Sequence, residues 1–313
     1  MNKLDFGKLI AALRKEHEDE DLRPWTQQRL AEEANLPSGV ELFTEDMISS
    51  IERGIRGVDH DALQALATAL QLTSGERKEF FLAATGIDSQ EIPRQQNSPE
   101  EVFSELLAYL KQMHLPATLL DQYCDCLAVN HTLIELYDLA SCGWALGSQE
   151  QKRFPHNEMR FIFSDEVANH LGERMGEHWT TYAANSMMLF RTRSLRYRAT
   201  PYFKDLLVEL KKSRLFKRYW REVYYQEKDH NFNAVDIRMN SPRWGAISCF
   251  TTTRIAIATA GELYLGVVVP ADYDTSNVFS RIINETGVPV AYCLESWPNK
   301  DPQPQHLDIR IVT

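Results

Sequence analysis

The sequence predicts two domains of different class: an all-α N-terminal domain, then an α+β domain with an antiparallel sheet and helices inserted midway. Helical periodicity dominates up to about residue 85, and period-two alternation returns near the C-terminus. Between them, a polar stretch with two prolines shows neither pattern. We therefore place the domains at residues 1–88 and 100–313, joined by a linker at 89–99.

The N-terminal domain is predicted to contain five short helices. The first repeats apolar side chains at i, i+3, i+4 and i+7 from Phe6. Thr26 and Thr44 are suited to cap the next two, "QQRLAEEAN" and "EDMISSIERG". A fourth helix follows in "DHDALQALATALQL", and a fifth in "SGERKEFFLAAT" ends at Gly86.

The second domain is predicted to open with a helix at about 100–113 and two short strands in "ATLLDQYCDCLAVNH". Ser164 is expected to cap one long helix, whose apolar residues recur about every four positions as far as Met187. Another helix begins at Pro201, a favoured first helical residue. Three later strands bring the expected total to about five.

Composition limits the classes of function. The net charge of −10 gives no overall attraction to nucleic acid, and five cysteines without a C-x-x-C pair fit free thiols in a reducing compartment. The N-terminus has no secretory pattern and no segment is long and apolar enough to span a bilayer, so we expect a cytoplasmic protein. No phosphate loop, nucleophile elbow or metal-binding spacing is found, so we expect neither an enzyme nor a required cofactor.

The segment "WTQQRLAEEANL", followed by "TEDMISSIERG", resembles the lambda-repressor-like helix-turn-helix of XRE-type regulators. Residues that fall at second-helix core positions of that class are Trp25, Leu30, Ala31, Ala34 and Leu36. The turn departs from the pattern by the insertion "PSGVELF". In this class an arginine of the first helix commonly pairs with the glutamate of "ERG", which corresponds here to Arg14 and Glu52.

This resemblance implies that the third helix lies in the major groove of double-stranded DNA, with the protein binding as a homodimer. The residues expected to contact DNA are Gln27, Gln28, Thr44, Glu45, Asp46, Met47, Ser49, Ser50, Arg53 and Arg56. Glu45 and Asp46 have two compatible interpretations. They stabilise the helix dipole in the first turn, or one of them accepts a hydrogen bond from a cytosine amino group.

Charge argues against tight DNA binding. Residues 1–88 hold ten Lys and Arg against seventeen Asp and Glu, a balance of −7. A domain that must neutralise phosphates usually has the opposite sign. We therefore expect few phosphate contacts and a shallow dependence of affinity on salt, with dimerisation supplying the remaining affinity.

The segment "LDQYCDCLAVNHTLIELY" resembles the opening of the ligand-binding domain of MmyB-like regulators. Three later segments follow in the order of that family: Asn157–Asp165, Tyr202–Trp220 and Leu263–Ile282. That family places a PAS-like domain behind an XRE-type helix-turn-helix, so the whole resemblance covers most of residues 1–285. It implies a PAS-like domain that binds a small lipophilic or anionic effector such as a fatty acid. Aromatic and Met residues of the inserted helices can line such a site, or can simply form core. The predicted ligand contacts are Phe161, Phe163, Trp179, Met187, Arg191, Tyr219, Trp220 and Tyr224.

A basic run crosses the same region. Residues 191–221 hold eleven Lys and Arg against two acidic residues. Three roles are open: pairing with the acidic N-terminal domain, holding an anionic ligand group through an arginine, or contacting DNA beside the operator.

The sequence thus predicts a ligand-responsive, DNA-binding transcription regulator. The competing class is a protein-interaction adaptor whose helix-turn-helix no longer binds DNA, and the −7 balance of residues 1–88 is its best support.

Overall fold

The computed structural model describes residues 1–36, 42–86, 98–139, 153–226, 236–287, 290–298 and 310–312. Most of the expected linker at 89–99, and most of the insertion at 37–43, lie outside these residues. The first five helices are α1 (Lys3–Glu16), α2 (Gln27–Asn35), α3 (Glu45–Glu52), α4 (His60–Ala69) and α5 (Ser74–Thr85).

Side-chain caps define where these helices begin. The Thr26 hydroxyl accepts from the Arg29 amide, and the Thr44 hydroxyl accepts from the Met47 amide. Each cap satisfies an N–H that lacks an intrahelical partner. Both caps predicted from the sequence are therefore confirmed.

The five helices pack around one core of their own. It contains the apolar residues predicted for α1, together with Ile48 and Ile51 of α3. Leu36 was expected in this core but is 71% exposed, so that expectation was wrong. Leu36 follows the end of α2, where it is no longer held on the buried side of the helix.

The remaining chain surrounds a seven-stranded antiparallel sheet, rather than one of about five strands. The strands are β1 (Ala117–Asp121), β2 (Cys126–Asn130), β3 (Asp236–Ser241), β4 (Gly245–Ala258), β5 (Gly261–Pro270), β6 (Ala291–Cys293) and β7 (Arg310–Val312), in the order β3-β4-β5-β1-β2-β6-β7. The two additional strands have only three residues each, too short to show a period of two in the sequence.

Among the described residues, eight helices accompany the sheet. They are α6 (Pro99–Gln112), α7 (His131–Tyr137), α8 (Glu158–Ile162), α9 (Asp165–Met175), α10 (His178–Ser194), α11 (Pro201–Leu210), α12 (Arg214–Gln226) and α13 (Tyr273–Thr286), with a 3₁₀ turn at Leu195–Tyr197. The long helix expected from Ser164 to Met187 is in fact two helices, α9 and α10. Gly176 separates them with a φ of +56°, a conformation that ends an α-helix and suits glycine.

The two faces of the sheet are covered differently. Helix α6 packs Val102, Leu106 and Leu110 onto one face. The opposite face packs against α7, α9 and α13, with apolar side chains such as Leu171 and Phe279. Within the described residues, no helix is both long and apolar enough to cross a membrane.

Candidate functional site

A cavity of about 300 Å³ lies between the sheet and the helices on its second face. Its floor comes from alternate residues of three neighbouring strands. Thr118 of β1 and Thr253 of β4 both pair with Gly266 of β5, so these three residues form one row across the sheet. Because Gly266 has no side chain, the middle of this row leaves open space above the sheet.

Helices form the roof. Helix α10 contributes Tyr182, Ser186, Leu189 and Arg193, whose spacing places them on one face of the helix. Phe161 and Ile162 of α8, Leu171 of α9, and Leu133 and Tyr137 of α7 complete a mainly apolar wall. Leu189 is 43% exposed and marks the mouth of the cavity together with the exposed Thr251 and Thr253.

Arg193 places a positive charge one helical turn beyond Leu189. Its guanidinium carbon lies 4.2 Å from the centroid of the Tyr264 ring, and its Nη1 is 4.0 Å from the Cys124 sulfur. No carboxylate of the described residues lies within ion-pair distance of it. An aromatic face and a thiol leave most of its N–H donors available to an anionic ligand group.

Glu158, at the first position of α8, is the carboxyl group that lines the same cavity. Burial raises its pKa, and the charge of Arg193 opposes that shift only in part. Burial also raises the pKa of Tyr182, Tyr264 and Cys126, the last to about 12. These hydroxyl and thiol groups are therefore protonated at neutral pH and can donate hydrogen bonds.

Of the eight residues predicted to bind ligand, Phe161 lines this cavity and the others do not. Phe163, Met187, Tyr219 and Trp220 belong to a separate buried core between α8 and the helices α10 to α12. For these four residues the structure agrees with the alternative considered from the sequence, in which such side chains simply form core. Apolar residues of α11 and α12, such as Leu207 and Phe216, belong to the same core.

Three of the predicted ligand contacts have other surroundings. Trp179 is partly buried, packs on Tyr182 with ring centroids 5.9 Å apart, and touches both cores. Tyr224 is half-buried near the end of α12. Arg191 points away from the cavity, because a separation of two residues places it on the side of α10 opposite Arg193.

The basic run pairs with the acidic N-terminal helices, the first of its three considered roles. Arg191 Nε donates to Glu76 of α5 at 2.9 Å, and Arg198 bonds the same carboxylate oxygen. Further pairs across the contact are Arg198 with Glu16 at 2.9 Å, Arg196 with Glu79 at 2.9 Å, Arg221 with Glu18 at 2.9 Å, and Lys211 with Glu18 at 4.0 Å. Opposite charges in the two halves therefore join the domains.

The expected pair in the N-terminal domain is also present. Arg14 Nε lies 2.6 Å from Glu52 Oε1, and its Nη2 lies 3.0 Å from Oε2, a bidentate contact between α1 and the end of α3. Arg14 also donates to the Trp25 carbonyl, and Gln27 Nε2 donates to Glu52 at 2.7 Å. Gln27 thus serves the contact between α2 and α3, which was not foreseen.

Most of the residues predicted to contact DNA are accessible. Thr44, Glu45, Asp46, Arg53 and Arg56 are exposed at the two ends of α3, and Gln28 is exposed on α2, where it bonds Glu32. Met47, Ser49 and Ser50 are half-buried on α3. Neither Arg53 nor Arg56 forms an ion pair with a described carboxylate, so both guanidinium groups can reach phosphates.

The comparison with protein families identifies the second domain. Residues 102–281, more than half of the chain, match the model described as the MmyB-like transcription regulator ligand binding domain. The chain belongs to this family. The MmyB-like domain contains the sheet from β1 to β5, all the cavity residues named above, and the basic run. A comparison with curated proteins found no match.

Membership in a family of regulator ligand-binding domains supports the resemblance noted for this half of the sequence. The match begins inside α6 and therefore does not extend to the helices α1 to α5. In the part of the chain that the structure describes, no group of three His, Cys, Asp or Glu side chains is arranged to hold a metal ion.

Proposed function

We propose that this chain is a ligand-responsive transcription regulator that binds double-stranded DNA as a homodimer through α2 and α3. The observation that carries the proposal is the cavity of about 300 Å³ inside a regulator ligand-binding domain, with Arg193 at its mouth. Ligand pockets have typical volumes of about 300–1,000 Å³, so this cavity suits a small ligand.

The ligand class follows from the distribution of polarity in the cavity. Its walls are mainly Leu, Ile, Val and aromatic side chains, and Arg193 supplies positive charge at one end. Glu158 beside Arg193 is neutral when protonated and then donates a hydrogen bond. A carboxylic acid with an apolar chain of medium length, such as a fatty acid, matches both features.

The ligand proposal is tested by native mass spectrometry of the purified chain, followed by denaturing extraction, which reports oligomeric state and any co-purified acid. Isothermal titration with decanoate then measures affinity. We expect Arg193→Met to weaken binding about tenfold or more, since a hydrogen bond to a charged group contributes about 1.5–3 kcal/mol. Arg243→Met, which removes surface pairs with Glu135 and Glu285, is the matched control and keeps wild-type affinity. Equal affinity in all three proteins would exclude the assigned role of Arg193.

DNA binding is supported by the accessible face of α3 and by the exposed side chains of Arg53 and Arg56 at its end. Anisotropy measurements with DNA from the gene's own promoter region, across a range of salt, test it. We expect specific binding with a shallow slope, and Arg53→Met and Arg56→Met to lower affinity on all sequences. A slope of log affinity against log salt concentration that corresponds to eight or more neutralised phosphates per monomer would contradict the few contacts that this surface offers.

The adaptor remains the second candidate, because the acidic balance of residues 1–88 favours a basic protein partner over DNA. The same anisotropy experiment separates the two. Specific binding to promoter DNA supports the regulator, whereas no binding even at low salt supports the adaptor.

A further inference from the structure

Helix α10 belongs to two sites at once. Tyr182, Ser186 and Arg193 face the ligand cavity. Arg191 lies on the opposite side of the same turn as Arg193 and binds the N-terminal domain. A displacement of this helix at the cavity therefore also displaces the groups that hold α5.

Those groups form a buried ion cluster around one carboxylate, which we call the Glu76 cluster (Glu76, Arg191 and Arg198). Glu76 is 0% exposed, Arg198 1% and Arg191 6%. Burial alone would raise the pKa of Glu76, but the two guanidinium groups and hydrogen bonds from Arg191 and the Thr73 amide lower it to about 2. Such a cluster is stable only while its geometry is kept, because each separated charge is costly in a buried site.

The end of α10 is also inserted into the N-terminal domain. Leu195, which follows α10 directly, is 0% exposed and belongs to the core of α1 to α5. Gly75 of α5 faces Thr192 of α10 so closely that a Cβ at residue 75 would overlap the Thr192 hydroxyl. Because close-packed contacts of this kind leave little free space, helix movements are transmitted across them.

The contact continues to α3 through α1. Arg198 pairs with Glu16 of α1 at 2.9 Å. Two residues earlier on α1, Arg14 pairs with Glu52 at the end of α3. Two sets of ion pairs, linked by the backbone of α1 between Arg14 and Glu16, thus lie between the cavity helix and the helix assigned to DNA.

We propose that α10 couples cavity occupancy to the N-terminal helices, and that the Glu76 cluster is the contact whose geometry responds. The proposal rests on the proposed function, since it assigns the regulation of that same cavity. A ligand acts only through a difference in its affinity for two arrangements of the domains, and here the difference arises where α10 meets both the ligand and Glu76.

Hydrogen exchange of the amides of α5 (Ser74–Thr85) in the full chain tests the coupling without DNA. Gly266→Leu fills the cavity from the floor, opposite α10. A Cβ at Gly266 would make ordinary contacts of 3.5 Å with Thr118 and 3.7 Å with Thr251, so leucine extends into the open space. Thr252→Leu adds the same side chain on the other face of β4 and is the matched control.

We expect Gly266→Leu to change α5 exchange by about fivefold or more, the lower end of typical allosteric coupling, and Thr252→Leu to leave it unchanged. In the Glu76→Gln background the response to Gly266→Leu should disappear. Decanoate added to the wild-type chain is the second perturbation. A response to Gly266→Leu but not to decanoate would support the coupling and count against medium-chain acids as ligands. Unchanged α5 exchange under both perturbations, or an undiminished response in Glu76→Gln, would overturn the coupling.

Discussion

Replacing Glu76 by glutamine tests the contact between the two domains. The substitution keeps the shape of the side chain but leaves Arg191 without a carboxylate, and Arg198 with Glu16 alone, in a buried site. The pKa of Glu76 falls from its ordinary 4.5 to about 2 in the folded protein. A shift of that size corresponds to about 3 kcal/mol of stability, in the range of about 3–5 kcal/mol for a broken buried ion pair.

The sign of the pH dependence follows from the direction of this shift. Because the folded pKa is lowered, the contribution of Glu76 is complete above about pH 4.5 and is lost as the pH falls towards 2. Urea unfolding of the full chain should therefore show Glu76→Gln about 3 kcal/mol less stable at pH 7, with the difference from wild type shrinking below pH 4.5.

Glu209→Gln is the matched control, because Glu209 pairs with Lys212 at the surface at 2.7 Å. It should cost less than about 1 kcal/mol, as exposed pairs do. A comparably small cost for Glu76→Gln, or parallel stability curves for that variant and wild type down to pH 2, would refute the role given to the cluster.

Three further predictions concern titration and charge. Burial lowers the pKa of His17 from 6.5 to about 4, so the free energy of unfolding of wild type should fall by about 2 kcal/mol between pH 7 and 5. Urea unfolding should show that His17→Gln lacks this loss and that His60→Gln, at an exposed position, retains it. Decanoate affinity, measured by calorimetry, should rise as the pH falls through the raised pKa of Glu158, because protonation removes a carboxylate that repels the ligand; Glu158→Gln should bind at all pH values as wild type does at low pH. Neutralising Glu45 and Asp46 together, as Gln and Asn, should strengthen binding to unrelated DNA in anisotropy, because both carboxylates are exposed where α3 would meet phosphates; unchanged affinity would show that this turn does not approach DNA.

Features set by short-range chemistry could be predicted from the sequence. The caps at Thr26 and Thr44 depend on a hydroxyl and an amide three residues away, and both form. The Arg14 to Glu52 pair was foreseen because the family resemblance supplied the long-range partner that local pattern cannot give.

The break between α9 and α10 was missed because the apolar spacing continues through Gly176 as if the helix were unbroken. A positive φ at one glycine is not visible in periodicity. The extra strands β6 and β7 were missed because three residues are too few to show alternation.

The cavity residues depend on tertiary structure. Tyr264 and Gly266 reach the cavity only because β5 pairs with both β1 and β4 in one register. The sequence shows a basic run but not which side of the helix each arginine occupies, so Arg191 was predicted to bind the ligand. In the structure Arg193 lines the cavity, and Arg191 pairs with Glu76. Two residues along a helix reverse the direction of a side chain, and only the packing of α10 reveals which one faces inward.

The proposed function requires that one chain binds DNA and responds to a small ligand. Its most direct test is the affinity of the full chain for its own promoter DNA, measured by anisotropy at fixed salt with and without saturating decanoate. We expect specific binding whose affinity changes by about fivefold or more when the acid is added. Specific binding that is identical with and without a bound acid, or no binding at low salt, would contradict the proposed function.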